Sequence, residues 1–254
     1  MKKTIKLPAP QLSELKEVNI DLDMTGRHYA LLASYGGQTS ESVVLSILKD
    51  LVEEDANKLN IAELRYLFML VKINSLENNY KIQVTCTHNK KDGKPCGHKQ
   101  IFDVFLSDAD LNPTPPDYEV PTISFRTDTT EKEYKVVPPT VAKECQLFDY
   151  FQTEHNATPE DIGESKELSF EYTFMRAMLH LVDSDGNRFI PDDMQFPEIM
   201  KYLDYNKFQT ITHLYDKVTE VNSFGVQIKT YETKCEECGG RLIFQLPLLS
   251  GLVD

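Results

Sequence analysis

Four of the five cysteines in this 254-residue chain fall into two pairs. Thiolates are preferred ligands of zinc in closed, four-coordinate sites. Nine residues separate Cys86 from Cys96, and two separate Cys235 from Cys238. Each pair is entered from a strand-like run and left through the same signature, Cys-Gly-x-x-x-Ile-Phe. It reads Cys96-Gly97-His98-Lys99-Gln100-Ile101-Phe102 in the first pair and Cys238-Gly239-Gly240-Arg241-Leu242-Ile243-Phe244 in the second. The glycines after the second cysteine permit the tight turn of a metal knuckle, in which backbone N–H groups point at sulfur. The expected chemistry is one structural zinc site built from Cys86, Cys96, Cys235 and Cys238. Closing it folds back about 140 residues of intervening chain, so metal binding becomes folding energy. Lys94, Lys99, Lys234 and Arg241 are near enough in sequence to offset the −2 charge of four thiolates on Zn²⁺.

Three rival uses of these residues stay open at this point. His88 and His98 each lie two positions beyond a cysteine, so either could replace Cys86 or Cys96. Cys86, His88, Cys96 and His98 could form a separate site. Cys235 and Cys238 could be a redox dithiol, although Glu236 and Glu237 between the sulfurs would raise the thiol pKa values rather than lower them. Cys145 falls on the apolar stripe of a helix and reads as a small buried hydrophobe.

The surrounding pattern reads as α+β, with helical bundles packed around two cysteine-bearing β-hairpins that form a zinc-ribbon-like module. Residues 1–75 carry strands and a helical hairpin. Asn19–Met24 alternates as a half-buried strand should, and His28–Ser34 is read as a second strand closed by Gly36-Gly37. Val44, Ile47, Leu48, Leu51 and Val52 make one helical face, and Ile61, Leu64, Leu67, Phe68 and Val71 another. Asn60 and Glu63 have the spacing of an N-cap and its reciprocal partner. Residues 76–110 are the first knuckle hairpin, Tyr80–Cys86 out and Lys99–Leu106 back. Residues 111–122 hold four prolines and read as a linker. The mainly helical half, 123–220, opens with a hairpin from Ile123–Phe125 and Glu133–Val137. Helices are then expected from Pro138-Pro139-Thr140 onward, over Leu168–Val182, Pro197–Leu203 and Asp204–Val218. Residues 221–254 supply a strand at Gly225–Tyr231, the second knuckle and an apolar tail, Leu246–Val253.

Composition narrows the function. The 41% apolar and 26% charged content is that of a soluble globular chain, and no apolar run is long enough to span a bilayer. Prolines 8 and 10 and polar residues follow the basic N-terminus where a secretory signal would need an apolar stretch. A net charge of −13 argues against wrapping a polyanion. The lysines around the first knuckle (Lys90, Lys91, Lys94, Lys99) keep a zinc-ribbon nucleic-acid module as the alternative. No phosphate-binding loop, dinucleotide fingerprint, His-Glu-x-x-His or nucleophile elbow is present. The zinc-deaminase signature is also missing, since Pro95-Cys96 is followed by Gly97-His98. No catalytic residue is nominated.

One run carries a resemblance. Leu59–Leu67 (Leu-Asn-Ile-Ala-Glu-Leu-Arg-Tyr-Leu), then Lys72–Cys86 and the cysteine loop through residue 106, resembles the baseplate hub and hub-assembly proteins of T-even-type contractile-tailed phages. Lys234–Gly239 with an apolar C-terminus is similar to the closing segment of such proteins. The resemblance implies a non-enzymatic hub subunit or assembly factor that binds other phage baseplate and tail proteins. It implies no small-molecule substrate and no membrane, assembly in host cytoplasm, and a place in the virion tail. Self-association is left open. The apolar tail is a candidate surface for a partner to cover.

Overall fold

The alternation at Val18, Ile20 and Leu22 places three apolar side chains on one face, where all three are buried. In a computed structural model of the protein, residues 2–33, 40–75, 79–90, 93–127, 130–190, 196–227 and 229–245 are described. Strand β1 (Lys2–Lys6) pairs antiparallel with β2 (Glu17–Asp21). Residues 28–33, read from the sequence as strand, instead belong to helix α1 (Gly26–Ala33). The amides of His28 and Tyr29 both donate to the Thr25 carbonyl, and His28 and Leu32, one helical turn apart, are its buried residues. That i, i+4 burial is what an amphipathic helix needs and what a strand cannot supply.

Helices α2 (Ser40–Leu51) and α3 (Ile61–Ser75) form the expected hairpin. The Asn60 amide donates to Glu63 Oε2 at 2.9 Å, and the Glu63 amide donates to Asn60 Oδ1 at 3.0 Å. This reciprocal cap satisfies two donors that a helix start otherwise leaves unpaired. Val44, Ile47, Leu48, Leu64, Leu67, Phe68 and Val71 fill a first core together with β2.

The chain then runs through β3 (Asn79–Thr85), β4 (Lys99–Phe105) and the short β5 (Asp110–Asn112). The proline-rich span is irregular and anchored. The Thr114 amide donates to the Pro8 carbonyl at 3.0 Å, Gln11 Nε2 to the Pro115 carbonyl at 3.1 Å, and the Tyr118 hydroxyl to Glu220 at 3.1 Å. These bonds tie the span to the N-terminal segment and to Glu220.

Hairpin β6 (Thr122–Thr127) and β7 (Thr130–Val136) precedes helix α4 (Val141–Glu154), capped by Thr140. Helices α5 (Pro159–Glu164) and α6 (Lys166–Met178) follow. The helix expected over 168–182 ends early, and Leu181–Val182 becomes β8, the third strand beside β7. The Val137 amide donates to the His180 carbonyl at 2.8 Å, so sheet pairing takes residues whose apolar character suits either state. The predicted 204–218 helix is likewise broken, into α7 (Tyr202–Tyr205) and α8 (Phe208–Asn222). Asn206 sits in the break, with its side chain bonded to both backbone groups of Arg126 at 2.9 Å. Leu147, Phe151, Phe174, Met178, Ile211 and Leu214 build a second core with the β6–β7–β8 sheet, joined by Ala9 and Leu12.

The strand expected at 225–231 is divided between two partners. β9 (Gly225–Gln227) pairs with β5, while β10 (Thr230–Lys234) pairs with β11 (Arg241–Gln245). Gly225 has φ +97°, and a Cβ there would meet Ala62 Cβ at 2.6 Å, so the chain crosses close over α3. The fold is therefore α+β, a mixture of helices and small antiparallel sheets. Among the described residues, the two cysteine hairpins are not enclosed by helices. They lie against α3 through Tyr66, Met69 and Ile73, and Ile101, Phe105 and Ile243 are exposed. Among the described residues no helix is long and apolar enough to cross a membrane. The 246–253 tail lies outside them.

Candidate metal centre

Both hairpins close around their cysteines with the same hydrogen bonds. In the second, the Cys235 amide donates to the Gly240 carbonyl and the Gly239 amide to the Cys235 carbonyl, each at 2.8 Å. In the first, the Cys86 amide donates to the His98 carbonyl at 2.8 Å and the Gly97 amide to the Cys86 carbonyl at 3.1 Å. Gly97 and Gly239 hold φ of 61° and 72°, the left-handed turn that glycine adopts without steric cost. The seven additional residues of the first pair leave this frame unchanged. The longer connection is closed where the Cys96 amide donates to the His88 carbonyl at 2.7 Å and the Lys90 amide to the Lys94 carbonyl at 2.7 Å.

The pairing β5–β9 brings the exit of one hairpin to the entrance of the other. All four sulfurs meet. Every Sγ of Cys86, Cys96, Cys235 and Cys238 lies within 4.8 Å of the others. Contacts run between the hairpins, Cys86 to Cys238 at 3.6 Å and Cys96 to Cys235 at 3.8 Å. A tetrahedron with zinc–sulfur arms of about 2.3 Å has sulfur–sulfur edges of about 3.8 Å. A disulfide would need about 2.05 Å, and all five cysteines are free. The donor set and its spacing fit a four-thiolate metal site.

Backbone amides complete the electrostatics. Each sulfur accepts an N–H from the residue two positions on: His88 to Cys86, His98 to Cys96, Glu237 to Cys235, and Gly240 to Cys238 at 3.4 Å. Burial pushes the Cys86 thiol up to about 12 against the pull of its amide. The His98 amide draws Cys96 down, but burial and the neighbouring thiols outweigh it and leave the group raised. Burial would raise Cys235 as well, but the amides of Cys238 and Glu237 and the adjoining thiols bring it to about 7. Four sulfurs this close cannot all ionise without a cation among them, so binding a metal would displace protons.

Of the rival ligands, His88 lies nearby, with Nδ1 3.8 Å from Cys86 Sγ. Its ring packs against Gly240, where an added Cβ would meet His88 Cγ at 2.7 Å. His98 is outside the four-sulfur group. Cys145 packs at the edge of the first core, far from this chemistry.

Several clamps between the hairpins escaped the sequence. Gln100 Oε1 accepts the Glu236 amide at 3.0 Å, and Lys90 Nζ reaches Glu237 at 2.9 Å. Arg241, expected to offset thiolate charge, is bonded to Glu232 at 2.5 Å. The two phenylalanines of the repeated signature stack on one another, Phe102 on Phe244, with centroids 4.8 Å apart. The duplicated Ile-Phe was the only sequence signal for that contact.

Neither a curated protein nor a solved structure matches the chain. A family described as T4 bacteriophage base plate protein matches residues 11–250, a span that includes both hairpins. By that match the chain belongs to the T4 bacteriophage base plate protein family.

Proposed function

We propose that the chain is a structural or assembly subunit of the baseplate hub, that it binds other hub proteins, and that Cys86, Cys96, Cys235 and Cys238 hold one structural zinc. Membership of the family supports a structural role in the phage tail base plate. The convergence of four sulfurs from opposite ends of the chain carries the zinc reading. Four protein ligands fill a tetrahedral ion, so the metal would supply structure and no open position for substrate. The protein's own contribution is to orient the thiolates with amide donors and to fasten two hairpins into a zinc-ribbon-like module. Partners would read that module, in host cytoplasm during assembly and then in the tail.

A nucleic-acid role draws only on the lysines of the first loop. Lys90 is paired with Glu237, and the module's rings stack on one another, Tyr231 on Phe244 at 5.3 Å and Phe244 on Phe102. The faces inside that stack are closed to bases, while Phe105 stands exposed on β4.

Metal analysis of the purified chain tests the zinc reading: about one zinc per chain is expected, with loss in Cys238→Ser. A fully folded, metal-free wild type overturns it. Binary binding to the other baseplate proteins of the same phage tests the hub role, and no binding to any of them removes it.

A further inference from the structure

We infer that the four sulfurs are a site of peroxide oxidation that closes into two disulfides between the hairpins, Cys86–Cys238 and Cys96–Cys235. The inference rests on the convergence behind the zinc reading and deepens it, while the pairing itself follows from burial and distance. Each hairpin holds one buried and one half-buried cysteine. Cys86 and Cys235 are each 2% exposed, whereas Cys96 and Cys238 are partly exposed. Gly97 and Gly239, which follow the two accessible cysteines, are exposed, with nothing within 4 Å of a Cβ built there. Solvent therefore reaches the cluster beside Cys96 and Cys238. Each of these sulfurs faces a buried one of the other hairpin, Cys238 to Cys86 at 3.6 Å and Cys96 to Cys235 at 3.8 Å. An accessible sulfur beside a resolving sulfur is the arrangement in which oxidation ends at a disulfide.

The chemistry has two steps. The Cys238 sulfur attacks one oxygen of hydrogen peroxide, the O–O bond breaks, and the other oxygen leaves as hydroxide. That hydroxide takes up a proton, from the thiol or, for a thiolate, from solvent, and becomes water. The Cys86 sulfur then attacks the Cys238 sulfenic acid, the S–O bond breaks, and a second water leaves. The two sulfurs lose two electrons and the peroxide gains them. Cys96 and Cys235 repeat the sequence with a second peroxide. A disulfide is about 2.05 Å long, so each pair of sulfurs approaches by about 1.6–1.8 Å. No thiolate is then left for a metal, yet the bridges fasten the same hairpins across 152 and 139 positions. The proposed role would take the chain from a reducing cytoplasm, where thiols persist, to an exterior where disulfides do.

Titrating the purified full chain with hydrogen peroxide tests this, with zinc content measured on the same samples. Peptide mapping without reductant is expected to find the two bridges between hairpins about tenfold or more above Cys86–Cys96 and Cys235–Cys238. At low peroxide, dimedone is expected to label Cys96 and Cys238 before Cys86 and Cys235. Zinc release, read by a chromogenic chelator, should keep step with bridge formation. After oxidation, EDTA should leave the melting temperature unchanged, where it lowers that of the reduced, zinc-bound chain. Bridges within a hairpin, bridges between chains, or sulfinic acid at any of the four overturn the inference. A wild type that binds no zinc yet forms the same two bridges removes the zinc reading and upholds this one. Zinc that stays bound under peroxide, with all four thiols intact, removes this one alone.

Discussion

The two cysteine hairpins follow one backbone path around loops of different length. In both, the first cysteine exchanges hydrogen bonds with the two residues after the second, around a left-handed glycine. Nine residues separate the sulfurs in one and two in the other. The knuckle is therefore defined by the bonds that close it, and the spacing between its cysteines is free so long as the loop returns to the same place. The longer loop also has a use. It carries His88 and Lys90 onto the second knuckle, which answers with Gly240 and Glu237.

The largest test of that equivalence is removal of one proposed zinc ligand from either side. Cys96→Ser and Cys238→Ser are expected to lose the metal alike and to destabilise the chain by several kcal/mol, on the order of the tight binding of structural zinc. Metal analysis and thermal unfolding read both. Loss from one hairpin only would mean that the two are not halves of one site.

Adjacent glycines of the second knuckle sharpen the comparison further. Gly239 is required by its backbone, and nothing lies within 4 Å of a Cβ placed there; Gly240 is required by the His88 ring. Gly239→Ala should cost about 1–2 kcal/mol and Gly240→Ala about 1–3 kcal/mol from overpacking. Only the second is expected to recover when His88→Ala is added, a coupling that a double-mutant cycle in denaturant measures directly. If both glycine variants recover, or neither does, the two requirements have been wrongly separated.

Excising the longer loop comes next in size. Replacing Thr87–Pro95 with two residues should leave metal stoichiometry intact and change stability by about 1 kcal/mol, since shorter-loop entropy opposes the lost contacts. Failure to bind metal would show that the loop length matters after all. Smallest is Lys90→Ala. The Lys90–Glu237 pair is well exposed, and such pairs contribute about 0–1 kcal/mol; a loss much beyond that would give the loop a larger part in holding the knuckles together.

Local hydrogen bonding made much of this molecule legible in the chain itself. The Asn60–Glu63 cap, the two apolar stripes of the α2–α3 hairpin and both knuckles depend on groups only a few residues apart, so residue type and spacing were enough. The errors fell where a segment had two acceptable local states. His28–Ala33 became helix because its burial repeats every turn, Leu181–Val182 left a helix to complete a sheet, and residues 225–231 divided between two strands. Each choice was made by a partner far away in sequence.

The same division runs through the site. Sequence alone determined that two thiol pairs would sit on glycine-turned knuckles, because amides two residues beyond each cysteine create that geometry locally. Tertiary structure decided that they face one another, Cys86 to Cys238 and Cys96 to Cys235. That meeting depends on the β5–β9 pairing and the Phe102–Phe244 stack, contacts between residues over a hundred positions apart, which only the packed chain brings together.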